Sequence, residues 1–357
     1  MKAVILIGGE GTRLRPLTCN IPKAMVPILN KTFLEHLLLY LKQHGISEVI
    51  LAMGYLPDPI QSHLGDGVGL GMKITYLVEE EPLGTAGAVK NAASLLEVAF
   101  LVFNGDILTE INLTGMIARH REVKPKVSIA LTPVEDPTVY GVVETDEGGM
   151  VRRFLEKPGR DEVTTNMINA GIYILEPEVL SLVPAGEHCM FENYLFPLLL
   201  ERDEPILSYP SRAYWIDIGT PEKYLKTNQD LLREWGEEVR TEGKSDLHPG
   251  ARISGPVLIG EGCTVAEGAR LKGPAVLGPR CEIGRGAIVD GAVLWQGVRI
   301  GEEALVRNCI VGAGGCIEAE SHVLDDCVIG DNVTVGRGNH VPQGTRIESD
   351  SDLEPRR

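Results

Sequence analysis

The chain has 357 residues, enough for about two domains, and its 43% hydrophobic and 24% charged content is that of a globular protein with ample apolar material for a core. A net charge of −16 excludes nucleic acid and anionic membranes as partners for the surface at large, though a locally basic pocket could still take an anionic small molecule. No apolar run approaches the ~18 residues of a membrane span, Met1-Lys2 leads straight into a strand-like run with no room for a signal peptide, and the seven cysteines form no CxxC pair, so the expectation is a cytoplasmic protein with reduced thiols.

Ala3 to Ile7 is a short β-branched run that reads as a buried strand. It runs into Gly8-Gly9-Glu10-Gly11-Thr12-Arg13, where the absence of Cβ atoms lets backbone N–H groups approach an anion closely. Arg13, Arg15 and then Lys23 behind Pro22 bring fixed positive charge to the same stretch, so phosphate is the expected guest. Two familiar phosphate loops do not fit. GxxxxGK[ST] is absent, and GxGxxG would need glycine where Leu14 stands.

Further on, Phe33 to His44 has apolar residues at helical spacing and ends at Gly45, a C-cap signal. Val49–Met53, Ile74–Val78 and Phe100–Phe103 read as strands, with a helical stretch from Thr85 to Leu96 between the last two. Strands follow at Val127–Thr132, Gly141–Glu144, Ala170–Leu175 and Tyr214–Ile218, then a helix from Pro221 to about Trp235. This alternation predicts an α/β domain over residues 1–236 with a mostly parallel sheet. Residues 237–250 are polar and charged and read as a linker.

Beyond it, aliphatic residues fall every six positions from Ile253 to Val289, then from Leu294 to Val306, then from Val311 to Ile347, with a one-residue slip at each break. Four residues after each comes a mostly small one, such as Cys263, Ala269, Cys281 or Cys327. This is the hexapeptide repeat of a left-handed parallel β-helix, expected over residues 251–350, with aliphatic side chains inward and small ones at the corners. The cysteines at those positions are expected to be buried structural thiols. Stacked coils offer long faces, so a homo-oligomer assembled through the β-helix is expected.

GGEGTRLRPLT followed by IPKAM closely resembles the signature of the sugar-1-phosphate nucleotidyltransferases, with Ala24 where that family usually has proline. EEEPLGTAGAV (79–89), FNGDI (103–107), YGVVE (140–144), FLEKP (154–158), MINAGIY (167–173) and YWIDIGTPEKY (214–224) extend the resemblance in the family's order. It implies a Rossmann-like nucleotidyltransferase domain and the reaction of an NTP with a sugar 1-phosphate to give NDP-sugar and pyrophosphate. It also implies that Leu6, Gly8, Gly9, Gly11, Thr12, Arg13, Lys23, Glu81, Gly84 and Thr85 bind the nucleotide. Arg13 is expected on the β- and γ-phosphates or the transition state, and Lys23 on the α-phosphate. Lys157 should hold the sugar phosphate, with Gly141, Glu156 and Asn169 on sugar hydroxyls. Asp106 and Asp217 should share a Mg²⁺, whose preference for hard oxygen ligands suits two carboxylates plus phosphate and water. Taken singly, both aspartates read rather as turn or cap residues, and Lys157 as a solvated surface lysine.

Within the family, EEEPLGTAGA and the directly following hexapeptide domain resemble the GDP-mannose pyrophosphorylases, implying GTP and mannose 1-phosphate. Guanine's N1–H and N2–H₂ donors suit a carboxylate such as Glu80 or Glu81. Glucose 1-phosphate with dTTP or UTP is the alternative. Hexapeptide domains also serve acyl transfer, for which His248, His322 or His340 would be the general base. A non-catalytic regulatory subunit is a third reading, opposed by the intact set of Arg13, Lys23, Asp106, Lys157 and Asp217.

Overall fold

The computed structural model describes residues 1–54 and 57–355. In chain order the strands before the repeats are β1 (Ala3–Ile7), β2 (Pro27–Ile28), β3 (Lys31–Thr32), β4 (Glu48–Met53), β5 (Lys73–Val78), β6 (Phe100–Asn104), β7 (Ile107–Thr109), β8 (Val127–Pro133), β9 (Gly141–Thr145), β10 (Val151–Glu156), β11 (Met167–Leu175), β12 (Ile206–Pro210) and β13 (Trp215–Asp217). The helices are α1 (Phe33–Gln43), α2 (Pro57–Leu64), α3 (Gly84–Asn91), α4 (Leu113–Val123), α5 (Phe196–Glu201) and α6 (Pro221–Arg233). The chain divides into two units, one made of Met1–Gly9 and Leu34–Asp217, the other of Glu10–Phe33 with everything from Ile218 onward.

In the first unit, β1 is a continuous apolar run because it pairs in parallel with β4 on one side and β6 on the other and is covered on both faces. The main sheet runs β10-β9-β11-β6-β1-β4-β5. The expected parallel run is β6-β1-β4-β5, and beyond β6 the long strand β11 turns the sheet antiparallel. A bulge between Asn169 and Tyr173 bends β11, which also pairs with β8 and β9. Gly171 lies in that bulge at φ 69°, and a Cβ there would stand 2.3 Å from Ile107 Cδ1 and 2.7 Å from Asn104 Nδ2. Glycine is therefore required both by the backbone and by the close approach of the FNGD strand end. Phe100, Tyr173, Phe191 and Phe196 fill the core beside Val4, Val102 and Ile129.

α1 buries Leu34, Leu37, Leu38 and Leu41 at helical spacing. It ends where Gly45 N donates to Lys42 O at 3.0 Å and Ile46 N to Leu41 O at 3.1 Å, with Gly45 left-handed.

In the second unit the repeats form three parallel sheets, each strand pairing with the one a full coil later. Val257 pairs with Val239 and Ala275 with Val257, a step of eighteen residues or three hexads. The two slips shorten that step to seventeen, pairing Val276 with Val293 and Val293 with Ile310. The lost residue comes out of the same corner twice, where Gly291 and Asn308 take positive φ. From Ile259 to Ile347 the aliphatic lattice is buried as one column, with Ile253 packed at its rim. Cys263, Cys281, Cys309 and Cys327 are buried thiols in it, while Cys316 is half-exposed.

The segment expected to be a linker differs. Val239–Thr241 pairs with Val257–Ile259 and Asp246–Leu247 with Thr264–Val265, so residues 237–250 supply strands of the first coil. A terminal coil has a neighbour on one side only, which is why its residues stay polar and exposed. No described helix is long and apolar enough to cross a membrane.

Candidate active site

Asp106 follows β6, separated from it by Gly105, whose N–H donates to the Leu6 carbonyl at 2.9 Å. A Cβ at Gly105 would lie 2.6 Å from that carbonyl oxygen, so the turn lies tight against β1. Leu6 is thus a half-buried β1 residue engaged through its main chain. β7, immediately after Asp106, pairs antiparallel with β13, and Asp217 is directly opposite Ile107. The fold therefore brings together two carboxylates, each at the end of a strand, although more than a hundred residues separate them in sequence.

Asp217 is oriented from a third segment. The Tyr140 hydroxyl donates to its Oδ2 at 2.6 Å. The Tyr140 ring meets Trp215 edge-on at 5.7 Å, and the Trp215 indole N–H donates to the Ala170 carbonyl at 3.0 Å. The next residue, Gly141, is buried where a Cβ would stand 2.9 Å from Glu156 Oε2. Lys157 follows β10 in a left-handed conformation, φ 48°, and its N–H donates to the Tyr140 carbonyl at 3.0 Å. Its ammonium is exposed, 3.7 Å from Glu156 Oε1. Asp217, Gly141, Glu156 and Lys157 are thus joined through Tyr140, a residue within the YGVVE string that sequence reasoning did not assign a role.

A second network runs beneath Asn169. Its amide donates to the Tyr173 hydroxyl at 2.8 Å, and that hydroxyl donates to Glu192 Oε1 at 3.3 Å. Glu192 Oε2 accepts from Thr85 Oγ1 at 3.2 Å, and Thr85 Oγ1 in turn accepts from Phe191 N at 2.9 Å. Burial, reinforced by the charge of Glu156, pushes the Glu192 carboxyl above the usual range, while the Thr85 and Tyr173 hydroxyls pull the other way. Thr85, expected on the nucleotide, thus has its hydroxyl proton and one lone pair committed inside the protein. Gly84 opens α3 at φ 72°, with Cys189 O only 2.7 Å from where a Cβ would stand, and that carbonyl takes the N–H groups of Ala86 and Gly87. Glu81 is exposed, and Glu79 accepts from Leu83 N at 3.0 Å. No motif in the sequence marks Glu192, and Tyr173, the last residue of MINAGIY, carried no assigned role. Only the chain's return past α3 joins them to Thr85 and Asn169.

In the glycine stretch, Gly8 is exposed with nothing within 4 Å of a built Cβ, and Gly9 has φ 103°. In the second unit Gly11 caps a 3-10 turn over Thr12–Leu14, and its carbonyl accepts from Thr18 Oγ1 at 2.8 Å. Thr12 and Arg13 on that turn are exposed and Lys23 is half-buried. Arg15 pairs with Glu10 at 3.4 Å. On the β-helix, His322 and His340 stack edge-on from successive coils at 4.3 Å, while His248 Nδ1 accepts from Gly250 N.

Among the described residues no group of three or more His, Cys, Asp or Glu side chains could hold a metal. Asp106 and Asp217 offer the oxygen ligands that a hard cation prefers, and phosphate and water would have to fill its remaining positions. Asn104 Oδ1, two residues before Asp106, is buried without a hydrogen-bond partner, an acceptor left over at the same strand end.

Residues 2–234 match the nucleotidyl transferase family, and residues 237–341 match the left-handed β-helix (LbH) domain of the EIF2B epsilon subunit. The chain is 38% identical over 310 residues to a mannose-1-phosphate guanylyltransferase of Mycobacterium tuberculosis, covering 84% of this chain and 80% of that protein. It is 34% identical over 360 residues to a UTP–glucose-1-phosphate uridylyltransferase of Synechocystis, covering 91% and 92%. Among solved structures, HddC from Yersinia pseudotuberculosis complexed with GMP-PN aligns at TM-score 0.56 and 33% identity, over 64% of this chain and 99% of that one. The chain belongs to the nucleotidyl transferase family. It is an enzyme whose kinds of substrate are an NTP and a sugar 1-phosphate, of a family that typically works with a divalent metal ion.

Proposed function

We propose that this enzyme is a mannose-1-phosphate guanylyltransferase, converting GTP and mannose 1-phosphate to GDP-mannose and pyrophosphate. The observation that carries the chemistry is the placement of Asp106 beside the cross-strand partner of Asp217, with Tyr140 bonded to the latter. The nucleotide and sugar are supported by the Mycobacterium tuberculosis relative and by the EEEPLGTAGA string.

An oxygen of the sugar phosphate attacks the α-phosphorus of GTP, the α–β phosphoanhydride bond breaks, and both electrons of that bond leave on pyrophosphate. Positioning and charge neutralisation supply most of the rate. Asp106 and Asp217 would hold a Mg²⁺, which would supply positive charge against the α-phosphate when bound. Arg13 binds the β- and γ-phosphates and Lys23 the α-phosphate. Lys157 holds the sugar phosphate from the end of β10. Gly141, Glu156 and Asn169 take the sugar hydroxyls. Gly8, Gly9, Gly11 and Thr12 line the triphosphate through their main chain, Leu6 and Glu81 flank the base, and Gly84 lets the chain pass close beneath it. Thr85 acts by anchoring Glu192.

A second reading, UTP with glucose 1-phosphate, is favoured by the Synechocystis relative. A matrix of GTP, UTP, dTTP, CTP and ATP against mannose, glucose, fucose and N-acetylglucosamine 1-phosphates, read by pyrophosphate release, tests the choice. The highest kcat/KM is expected for GTP with mannose 1-phosphate. A preference for UTP or dTTP with glucose 1-phosphate would overturn it. The same domains support a cytoplasmic homo-oligomer joined through the β-helix, which sedimentation of the full chain checks.

A further inference from the structure

Residues 10–33 carry Arg13 and Lys23, yet they pack in one unit with α6 and the β-helix. Two asparagines fasten this segment. Asn20 Nδ2 donates to Asp331 Oδ2 at 3.3 Å, and Asp331 Oδ1 accepts from Ala313 N at 2.8 Å. Asp331 is only 7% exposed, so its two oxygens depend on these donors. Farther along, the β2–β3 hairpin turns at Leu29 and Asn30, both left-handed at φ 46° and 64°. Asparagine takes up that conformation readily, whereas for Leu29 it carries a cost. Leu29 N donates to Asn228 Oδ1 at 3.0 Å, and Asn30 Nδ2 donates to Glu242 Oε2 at 2.9 Å and to Leu277 O at 3.1 Å. Between them, Tyr224 donates to the Pro27 carbonyl and accepts from the buried Trp295 indole at 2.9 Å. Within the segment, the bond from Thr18 to Gly11 ties the turn bearing Arg13 to the stretch held by Asn20.

We infer that the β-helix is the frame that positions the NTP-binding segment: Asp331 through Asn20, and Glu242 through Asn30, hold residues 10–33 in the shape that presents Arg13 and Lys23 to the triphosphate. The inference rests on the assignment of those two residues to the nucleotide. Asp331 and Glu242 are positioning residues. An unfastened glycine-rich segment would have to be ordered at each binding event, and that cost would appear as weaker NTP binding.

The test uses the full chain and the chemistry of Asp331. In Asp331→Asn the bond loses its charge, and Asn20 keeps it only by turning its own amide oxygen toward the new Nδ2. Asn20→Asp sets two carboxylates against each other. The double variant restores the bond in reverse, with Asn at 331 donating to Asp at 20 at unchanged net charge. Asn20→Ala breaks the same bond without touching the β-helix. Each single change is expected to raise the KM for GTP about five- to tenfold, as for the net contribution of one ordinary hydrogen bond. The KM for mannose 1-phosphate should hold, and any fall in the unfolding midpoint should be confined to the single variants and recover in the swap. Amide exchange over residues 10–33, measured without substrate, should quicken in the single variants and return to wild type in the swap. Wild-type exchange and KM in Asp331→Asn and Asn20→Ala, or a swap no better than its parents, would overturn the proposal. A wild-type chain that turns over UTP but not GTP would overturn only the nucleotide assignment, because the exchange measurement involves no nucleotide.

Discussion

Tyr140 donates its phenolic hydrogen to Asp217 Oδ2 at 2.6 Å, while its own carbonyl accepts the Lys157 N–H at 3.0 Å. One residue thus holds a carboxylate assigned to the metal and a lysine assigned to the sugar phosphate. Tyr140→Phe keeps the ring against Trp215 and removes only the hydroxyl. The Mg²⁺ concentration for half-maximal turnover should rise severalfold and kcat should fall by about tenfold, ~1.4 kcal/mol of transition-state stabilisation. Mg²⁺ titration of initial rates checks this, and an unchanged Mg²⁺ requirement would remove Asp217 from the metal site.

Asp106 and Asp217 should behave as one unit. Asp106→Asn or Asp217→Asn removes one ligand charge at constant shape, and metal-dependent turnover is expected to fall by about a hundredfold or more, ~2.7 kcal/mol. The double variant should be little worse than either single. Without metal, the unfolding midpoint should hold, because either change keeps the shape of the side chain. Near-normal turnover in Asp106→Asn at ordinary Mg²⁺ would place the metal elsewhere.

The exposed Lys157 and the half-buried Lys23 are assigned to different substrates, so their losses should separate. Lys157→Ala should raise the KM for the sugar 1-phosphate at least tenfold with little change for the NTP. Lys23→Ala should chiefly lower kcat, as its charge matters most while negative charge shifts during transfer. Two-substrate initial-rate analysis reads both. Equal changes in both KM values for either variant would contradict the division.

Glu192 carries a pH signature. Its folded pKa is raised by burial, so between the ordinary carboxylate pKa and that raised value the folded chain binds more protons than the unfolded one. Its contribution to stability is therefore full at low pH and is lost as pH rises through that window. Glu192→Gln removes the titration, so the wild-type-minus-variant difference in unfolding free energy should fall as pH rises from about 4.5. Urea melts at half-unit pH intervals measure it. A difference that rises with pH would mean the carboxylate is stabilised in its ionised form.

The six-residue period wrote the β-helix into the sequence because each lattice residue is buried by its counterpart one coil away, a pattern that repeats locally and needs no distant partner. Ala3–Ile7 and the Phe33 helix were legible for the same reason, since their periodicity is set by neighbours in the chain. Asp106 and Asp217 could be singled out as strand-end residues within family strings. That they lie together was decided by the antiparallel pairing of β7 with β13, which belongs to sheet order. The chain's return past α3 on a helical turn placed Glu192 beside Thr85 and Tyr173, where no local pattern marks it. The polar stretch at 237–250 misled because an end coil is buried on one side only and lacks the lattice's regular apolar beat. The signature at 10–33 announced its chemistry through its own residues, but its fastening to Asp331 and Glu242 depends on side chains hundreds of positions away, and only the folded chain brings them within hydrogen-bonding reach.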